Sequence, residues 1–253
     1  MRAPLAAAGP PGAGVRIIGM GYHPEHLTAE ASRALAGCDY VLAFDKPATR
    51  DRPGDDPLLA FRRAVCHHAG VELVTLPDPT RQRDNPAEYT QAVRDWHTAR
   101  VAACAEVLRT RGGTAGFLVW GDPALYDSTI RVVAATGCPY TVIPGVSAPT
   151  MLAARHGIVL HEIGRPVLVT TGRRLADDVA AGHDNLVVLL DAHLTCGHLT
   201  GSWHLWWGVN LATHSERLVA GPLDDTLEQA RTARAAARAE TGWAMDTYLL
   251  RRT

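Results

Sequence analysis

The chain has no excess of charge: 25 Lys and Arg stand against 26 Asp and Glu, a formal net charge of −1 over 253 residues. So balanced a surface gives no electrostatic reason to expect a nucleic acid or an anionic membrane as partner. No apolar run approaches the length needed to cross a bilayer. The opening Met1 to Gly14 is rich in Ala, Pro and Gly but lacks the apolar core of a secretory signal, and it reads as a loose tail (1–14). Cysteine is scarce and scattered. Cys38, Cys66, Cys104, Cys138 and Cys196 are odd in number and form no CxxC pair, which argues against a disulfide framework and for a reducing, cytoplasmic setting. No metal is expected either, since His193-Leu-Thr-Cys196-Gly-His198 has no second cluster to complete a coordination shell. No GxSxG elbow surrounds Ser128 or Ser147, so serine hydrolase chemistry is not expected. Gly19-x-Gly21 tempts a dinucleotide reading, but Pro24 occupies the place of the third glycine, and a nicotinamide site is not expected.

What is there is an ordinary globular composition, 47% hydrophobic and 20% charged, with alternating strand and helix signals. Val15 to Gly19 reads as a strand. Thr28 is placed to cap a helix through Ala36, with Gly37 as its stop. Tyr40 to Phe44 is a second strand, Asp56-Pro57 opens a helix closed by Gly70, and Val71 to Leu76 is a third strand. Asn85-Pro86-Ala87-Glu88 has the spacing of a capping box, and the helix it opens ends at Gly112-Gly113. Tyr140 to Ile143 is a further strand, and Ser147 caps a short helix ending at Gly157.

Strand–helix alternation predicts an α/β fold with a mostly parallel sheet over residues 15–145. A second lobe, 146–253, carries candidate strands at Val167 to Thr170, Leu186 to Leu190, Leu205 to Trp207, Arg217 to Ala220 and Trp243 to Leu250. Its long helix is expected from about Asp225 to Thr241, with Glu228 as a capping-box partner and Gly242 as the stop. More strands and fewer helices suggest a mixed sheet there. Trp203, Trp206 and Trp207 read as core or interface.

The most informative stretch is Phe117 to Ile130, FLVWGDPALYDSTI. Its apolar run has the character of a strand buried on both faces, and it stops at Gly121-Asp122-Pro123. Glycine allows a close backbone approach, proline fixes the turn, and the carboxylate lies at the strand's carboxyl edge, where α/β sheets bind small molecules. A helix should follow, with Tyr126, Asp127, Ser128 and Thr129 near its start. By itself this also fits an ordinary strand–turn–helix connection. Arg173-Arg174, after Thr170-Thr171-Gly172, equally fits a solvated turn or a receptor for carboxylates.

The order of these stretches narrows the choice. A strand into GMGYHPEHLT, then WGDPALY, then IPGVSA, then TTGRR resembles the tetrapyrrole (corrin/porphyrin) methyltransferase family. The family's first loop commonly reads GxGPGDPxLLT. Here the glycines, the proline and the closing Leu-Thr are kept, and the aspartate of that loop is absent. FDK at Phe44 to Lys46, DWHTAR at Asp95 to Arg100, TTGRRLAD at Thr170 to Asp177, WWG at Trp206 to Gly208 and the closing GWAMDTYLLRR look closest to one branch. That branch methylates C-1 of precorrin-5 and releases the C-20 acetyl group as acetate in aerobic cobalamin synthesis.

The resemblance implies two α/β lobes with S-adenosylmethionine in a cleft between them, S-adenosylhomocysteine as product, a precorrin substrate and a homodimer. Carried over by position, cofactor contacts would come from Pro24, Gly121, Asp122, Leu125, Ser147, Ala148, Leu190 and Leu211. Asp45, Asp122, Tyr126 and Asp127 are the acid–base candidates for deacetylation, with His23 behind them. Arg81, Arg83, Arg173 and Arg174 would hold the substrate's acetate and propionate groups. Two alternatives stay open: a methyltransferase of the same family acting at another ring carbon, or a non-catalytic ligand-binding relative.

Overall fold

The structure is a computed structural model, and it describes residues 14–45, 56–79 and 89–253. The chain divides into two compact units, Met1–Val146 and Ser147–Thr253. In the first, β1 (Gly14–Gly19), β2 (Tyr40–Asp45), β3 (Glu72–Pro77), β4 (Thr114–Val119) and β5 (Tyr140–Ile143) form one sheet in the order β3-β2-β4-β1-β5. Every pairing is parallel, so all five strands deliver their carboxyl ends to one edge.

Alternation along the strands builds two cores. Ile17, Leu42, Phe117 and Val119 face one side, where they pack with Cys104 of helix α3 (Tyr89–Arg111) and with Val132 and Val133 of α4 (Thr129–Ala135). Ile18, Val41, Leu118 and Ile143 face the other, against Ala31 and Leu35 of α1 (Ala29–Ala36) and Val65 and Cys66 of α2 (Pro57–Ala69). Phe117-Leu118-Val119 is therefore covered on both faces, as an uninterrupted apolar run requires. Burial pushes the Cys66 and Cys104 thiols up to about 11, so both act as packing groups and not as nucleophiles.

Helix ends follow local chemistry. Thr28 accepts from the Ala31 N–H (3.0 Å), and Asp56 accepts from the Leu58 N–H (3.1 Å). Gly70 ends α2 in the left-handed conformation that glycine adopts without penalty. The opening of α3 at Asn85-Pro86 lies outside the described residues. Near its middle, Arg100 forms a two-point ion pair with Asp78 (2.7 and 2.8 Å), both side chains nearly buried. The guanidinium lies over the rings of Phe44 and Trp96. Planar charge paired to a carboxylate and stacked on aromatic faces ties the ends of β2 and β3 to this helix.

The second unit holds β6 (Leu168–Thr171), β7 (Asn185–Leu189), β8 (Trp203–Val209), β9 (Arg217–Pro222) and β10 (Asp246–Arg252), ordered β6-β7-β10-β8-β9. β6 and β7 are parallel and the other pairs antiparallel, the mixed sheet that the strand-rich pattern suggests. Trp203, Trp207, Leu205 and Tyr248 form its core with Leu223, Ala230 and Ala237 of α7 (Leu223–Thr241). Shorter helices are α5 (Ala148–His156) and α6 (Leu175–Ala180).

Three boundaries depart from the sequence expectation. Tyr126 and Asp127 precede α4 instead of opening it, because Tyr126 takes a positive φ of 50° that no helix accommodates. Helix α7 starts at Leu223 straight out of β9 and has no side-chain cap, so the expected box with Glu228 does not form. Asp224 and Asp225 instead lie in its first turn, where negative charge meets the helix dipole. Strand β10 starts at Asp246 and not at Trp243, since Gly242 ends α7 with a φ of 75° and a loop intervenes.

At the carboxyl edge of the first sheet the backbones of three segments touch. A Cβ built on Gly19 would stand 2.5 Å from the Gly145 nitrogen and 2.9 Å from Pro123 Cδ, and one built on Gly145 would overlap the Gly121 carbonyl oxygen. Gly145 needs no unusual φ, so a methyl there costs only through this contact. Gly145→Ala should lose about 3 kcal/mol or more, on the order of 6–12 °C in melting temperature for a chain of this size. Gly70→Ala, left-handed but facing open space, should lose about 1–2 kcal/mol. Comparable melting shifts for the two variants, followed by circular dichroism, would contradict the contact.

Candidate functional site

The three glycines gather the motif loops of the first unit. Gly21 and Gly121 exchange backbone hydrogen bonds (3.2 and 3.0 Å), and Met20 N–H donates to the Val119 carbonyl (2.9 Å). Both glycines are left-handed, at φ 61° and 74°. The Asp122 carboxylate then fixes two more segments: Oδ1 accepts the Ala124 N–H and Oδ2 accepts the Gly145 N–H, each at 2.8 Å. One aspartate thus closes its own turn and fastens the loop after β5. Leu125 N–H donates to the Asp122 carbonyl (3.2 Å), and Asp127 Oδ1 accepts from Thr129 N–H (2.6 Å) just before α4.

Pro24 heads a short 3₁₀ turn (Pro24–His26) three residues after Gly21, and Leu125, Tyr126 and Asp127 follow Gly121-Asp122 in the chain. Tyr126 is half-exposed. Asp45 ends β2 on the same edge, in an open cavity of about 390 Å³ that Thr75, Leu76, Pro77 and Asp78 also line. That cavity lies over β2 and β3, whereas the glycine knot lies over β4 and β1. The knot, where three backbones meet at distances only glycine permits, is the candidate site. Arg81 and Arg83 lie outside the described residues.

Tyr22 escaped the sequence reading and belongs here. Its ring meets Trp120 edge-to-face (5.3 Å between centroids), and Trp120 meets Phe61 in the same way (5.1 Å). A Cβ on Gly121 would lie 2.5 Å from the Tyr22 hydroxyl oxygen. Burial first, and then the neighbouring Asp122 charge, push its phenol well above the ordinary range. It lies inside the GMGYHPEHLT stretch but is not one of the positions that stretch shares with the family pattern, so the only signal was its place directly after Gly21.

The second unit presents its own edge. Ser147 caps α5, accepting the Thr150 N–H (3.4 Å), and Ala148 is the first residue of that helix. Leu190, one step past β7, combines a φ of 55° with 68% exposure. An exposed leucine in a strained backbone is held there by its surroundings. Next to it, buried Asp191 accepts from the Tyr248 hydroxyl (2.5 Å), the Thr195 N–H (2.7 Å) and the Thr195 hydroxyl (2.8 Å). Gly172, at the end of β6, packs on that carboxylate. Leu211 is buried, against Gly208. Arg173 and Arg174 are exposed on the β6–α6 turn, and Arg174 pairs with Asp177 and Asp178 at 3.4 and 3.5 Å. Cys196 is buried in the core with its thiol pushed up to about 12 by burial, while His193 and His198 are exposed. Among the described residues no group of three or more potential ligands could hold a metal ion.

Comparison with known proteins matches residues 14–242 to the model of the Tetrapyrrole (Corrin/Porphyrin) Methylases. The chain is 36% identical to a Sinorhizobium protein named precorrin-6A synthase [deacetylating], covering 94% of this chain and 95% of that one. A solved structure of a putative cobalamin synthesis related protein (CobF) from Corynebacterium diphtheriae is 32% identical with a TM-score of 0.79, over 94% of this chain and 98% of that one. A uroporphyrin-III C-methyltransferase from Thermus thermophilus, solved in complex with S-adenosyl homocysteine, shares the fold at 21% identity and a TM-score of 0.53, over 93% and 96% of the two chains.

The phenols give a pH test. Tyr22, Tyr40 and Tyr248 are all raised, chiefly by burial. Raised acids favour the folded state while they stay neutral, so this contribution is complete below the unfolded tyrosine value of about 10 and is lost as pH rises past it. Of six tyrosines, Tyr22 and Tyr248, whose shifts are the large ones, should stay silent in the phenolate absorbance at pH 11 and appear only with unfolding. Complete titration of a native chain near pH 10 would contradict the packing.

Proposed function

This chain belongs to the tetrapyrrole (corrin/porphyrin) methylases, and from that premise we propose that it methylates C-1 of precorrin-5 and releases the C-20 acetyl group as acetate, giving precorrin-6A. Near-complete coverage of a 36% identical precorrin-6A synthase supports this reading most directly. The methyl donor is S-adenosylmethionine, which supplies a sulfonium methyl to an electron-rich ring carbon by in-line displacement.

The residues present fit that donor. Left-handed Gly121 pairs its own N–H and C=O with Gly21 and lacks the Cβ that would press on Tyr22, so polar groups, the Tyr22 hydroxyl among them, can meet a ligand at this edge. A methionine moiety and a ribose need such groups and need no phosphate cradle. Pro24, Gly121, Asp122 and Leu125 in the first unit, and Ser147, Ala148, Leu190 and Leu211 in the second, are the contacts we assign. For this step the protein's work is to hold reacting atoms in near-attack geometry.

Deacetylation asks for more. Water adds to the acetyl carbonyl, its electron pair moves onto oxygen, and the carbon–carbon bond then breaks with its pair going to the ring, which takes up a proton as acetate leaves. A base and an oxyanion partner are required. Both Asp122 oxygens already accept backbone N–H groups, so we assign Asp122 to fixing the loop and proton transfer to Asp45, Tyr126 or Asp127. Arg81, Arg83, Arg173 and Arg174 are assigned to substrate carboxylates. No helix among the described residues is long and apolar enough to cross a membrane; we infer a cytoplasmic homodimer on the family's pattern.

A 26% identical cobalt-precorrin-2 C(20)-methyltransferase from Salmonella typhimurium, matching 66% of this chain and 67% of that one, keeps transfer to another ring carbon as the competing reading. Incubation with S-adenosylmethionine and precorrin-5, followed by mass analysis, separates them. Methyl gain together with loss of the acetyl unit is expected; methyl gain with the acetyl retained, or no turnover, would overturn the assignment.

A further inference from the structure

Tyr22 stands at the knot with a polar group that no described residue engages. Its ring is fixed edge-to-face on Trp120, itself braced by Phe61, and its backbone N–H donates to His26 Nδ1 (3.2 Å). The hydroxyl stands over Gly121 at a distance only a glycine permits. Among the described residues it has no hydrogen-bond partner, and it is not one of the sealed, unsatisfied atoms, of which Tyr40 Oη at the opposite edge of the sheet is the example. The acceptor nearest in kind, Asp122, has both oxygens engaged by Ala124 and Gly145. Polar groups held this firmly in a half-buried place are normally matched by an acceptor.

We infer that the Tyr22 hydroxyl donates a hydrogen bond to a carboxylate or carbonyl oxygen of the ligand bound at the Gly21–Gly121 edge. The inference rests on the methyltransferase reading and adds a specificity-determining residue to it. Burial and the Asp122 charge keep the phenol protonated, so it can act as a donor throughout the neutral range. The acceptor belongs either to the methionine end of the methyl donor or to the tetrapyrrole.

Tyr22→Phe keeps the ring on Trp120 and removes only the donor, so the melting temperature should stay within a few degrees of the parent. Calorimetry with S-adenosylhomocysteine, and acetate release from precorrin-5, are then measured on both proteins. A loss of about three- to tenfold in S-adenosylhomocysteine affinity, the worth of one hydrogen bond, assigns the acceptor to the methyl donor. Unchanged affinity with a raised KM or a slower acetate release assigns it to the tetrapyrrole. Unchanged affinity, KM and kcat would overturn the inference. Failure of the parent protein itself to bind S-adenosylhomocysteine would instead remove the methyltransferase reading, and this inference with it.

Discussion

Three backbones meet where Gly19, Gly121 and Gly145 come together, closer than any side chain would allow. The rest of the first unit depends on that contact. Parallel strands β1, β4 and β5 would in any case send their ends to one edge, but the contact turns three loose loops into one surface. Asp122 then ties it with two backbone hydrogen bonds. A carboxylate that accepts N–H groups from two loops leaves neither free to move alone, and glycine's missing side chain is what brings the loops within its reach. The motif glycines and the motif aspartate are thus parts of one device.

Both units fix side chains at their edges by burying others. Leu190 is held out, in a left-handed backbone, next to an aspartate whose Oδ2 accepts three hydrogen bonds from Tyr248 and Thr195. Tyr22 is held over Gly121 by a chain of edge-to-face rings. Preorganisation of this kind matters for a reaction whose acceleration comes mainly from position, because it removes the need to order these groups when the ligand arrives.

Much of this was legible in the sequence because the signals were local. Thr28, Asp56, Gly70, Ser147 and Gly157 bound their helices as capping chemistry dictates, and the run Phe117-Leu118-Val119 announced a strand covered on both faces. Misplaced boundaries were those set by tertiary context. Helix α7 continues from β9 without a cap, and Tyr126 takes a positive φ in the turn before α4. Arg100 was visible only as part of the resembling DWHTAR segment; its pairing with Asp78 and stacking on Phe44 depend on residues distant in the chain. Tyr22 was missed for the same reason, since its significance comes from Gly121, almost a hundred residues away. The knot itself was foreshadowed by its glycines, but that they touch one another is a property of strand order.

The central claim is that the knot around Gly121 and Asp122 is a ligand-binding surface and not only a structural joint. A crystal structure of the chain grown with S-adenosylhomocysteine tests it most directly. The account requires the ligand to contact the Gly121–Asp122 turn and Leu125. Ligand found in the open cavity beside Asp45, or well away from the carboxyl ends of β1 and β4, would contradict it.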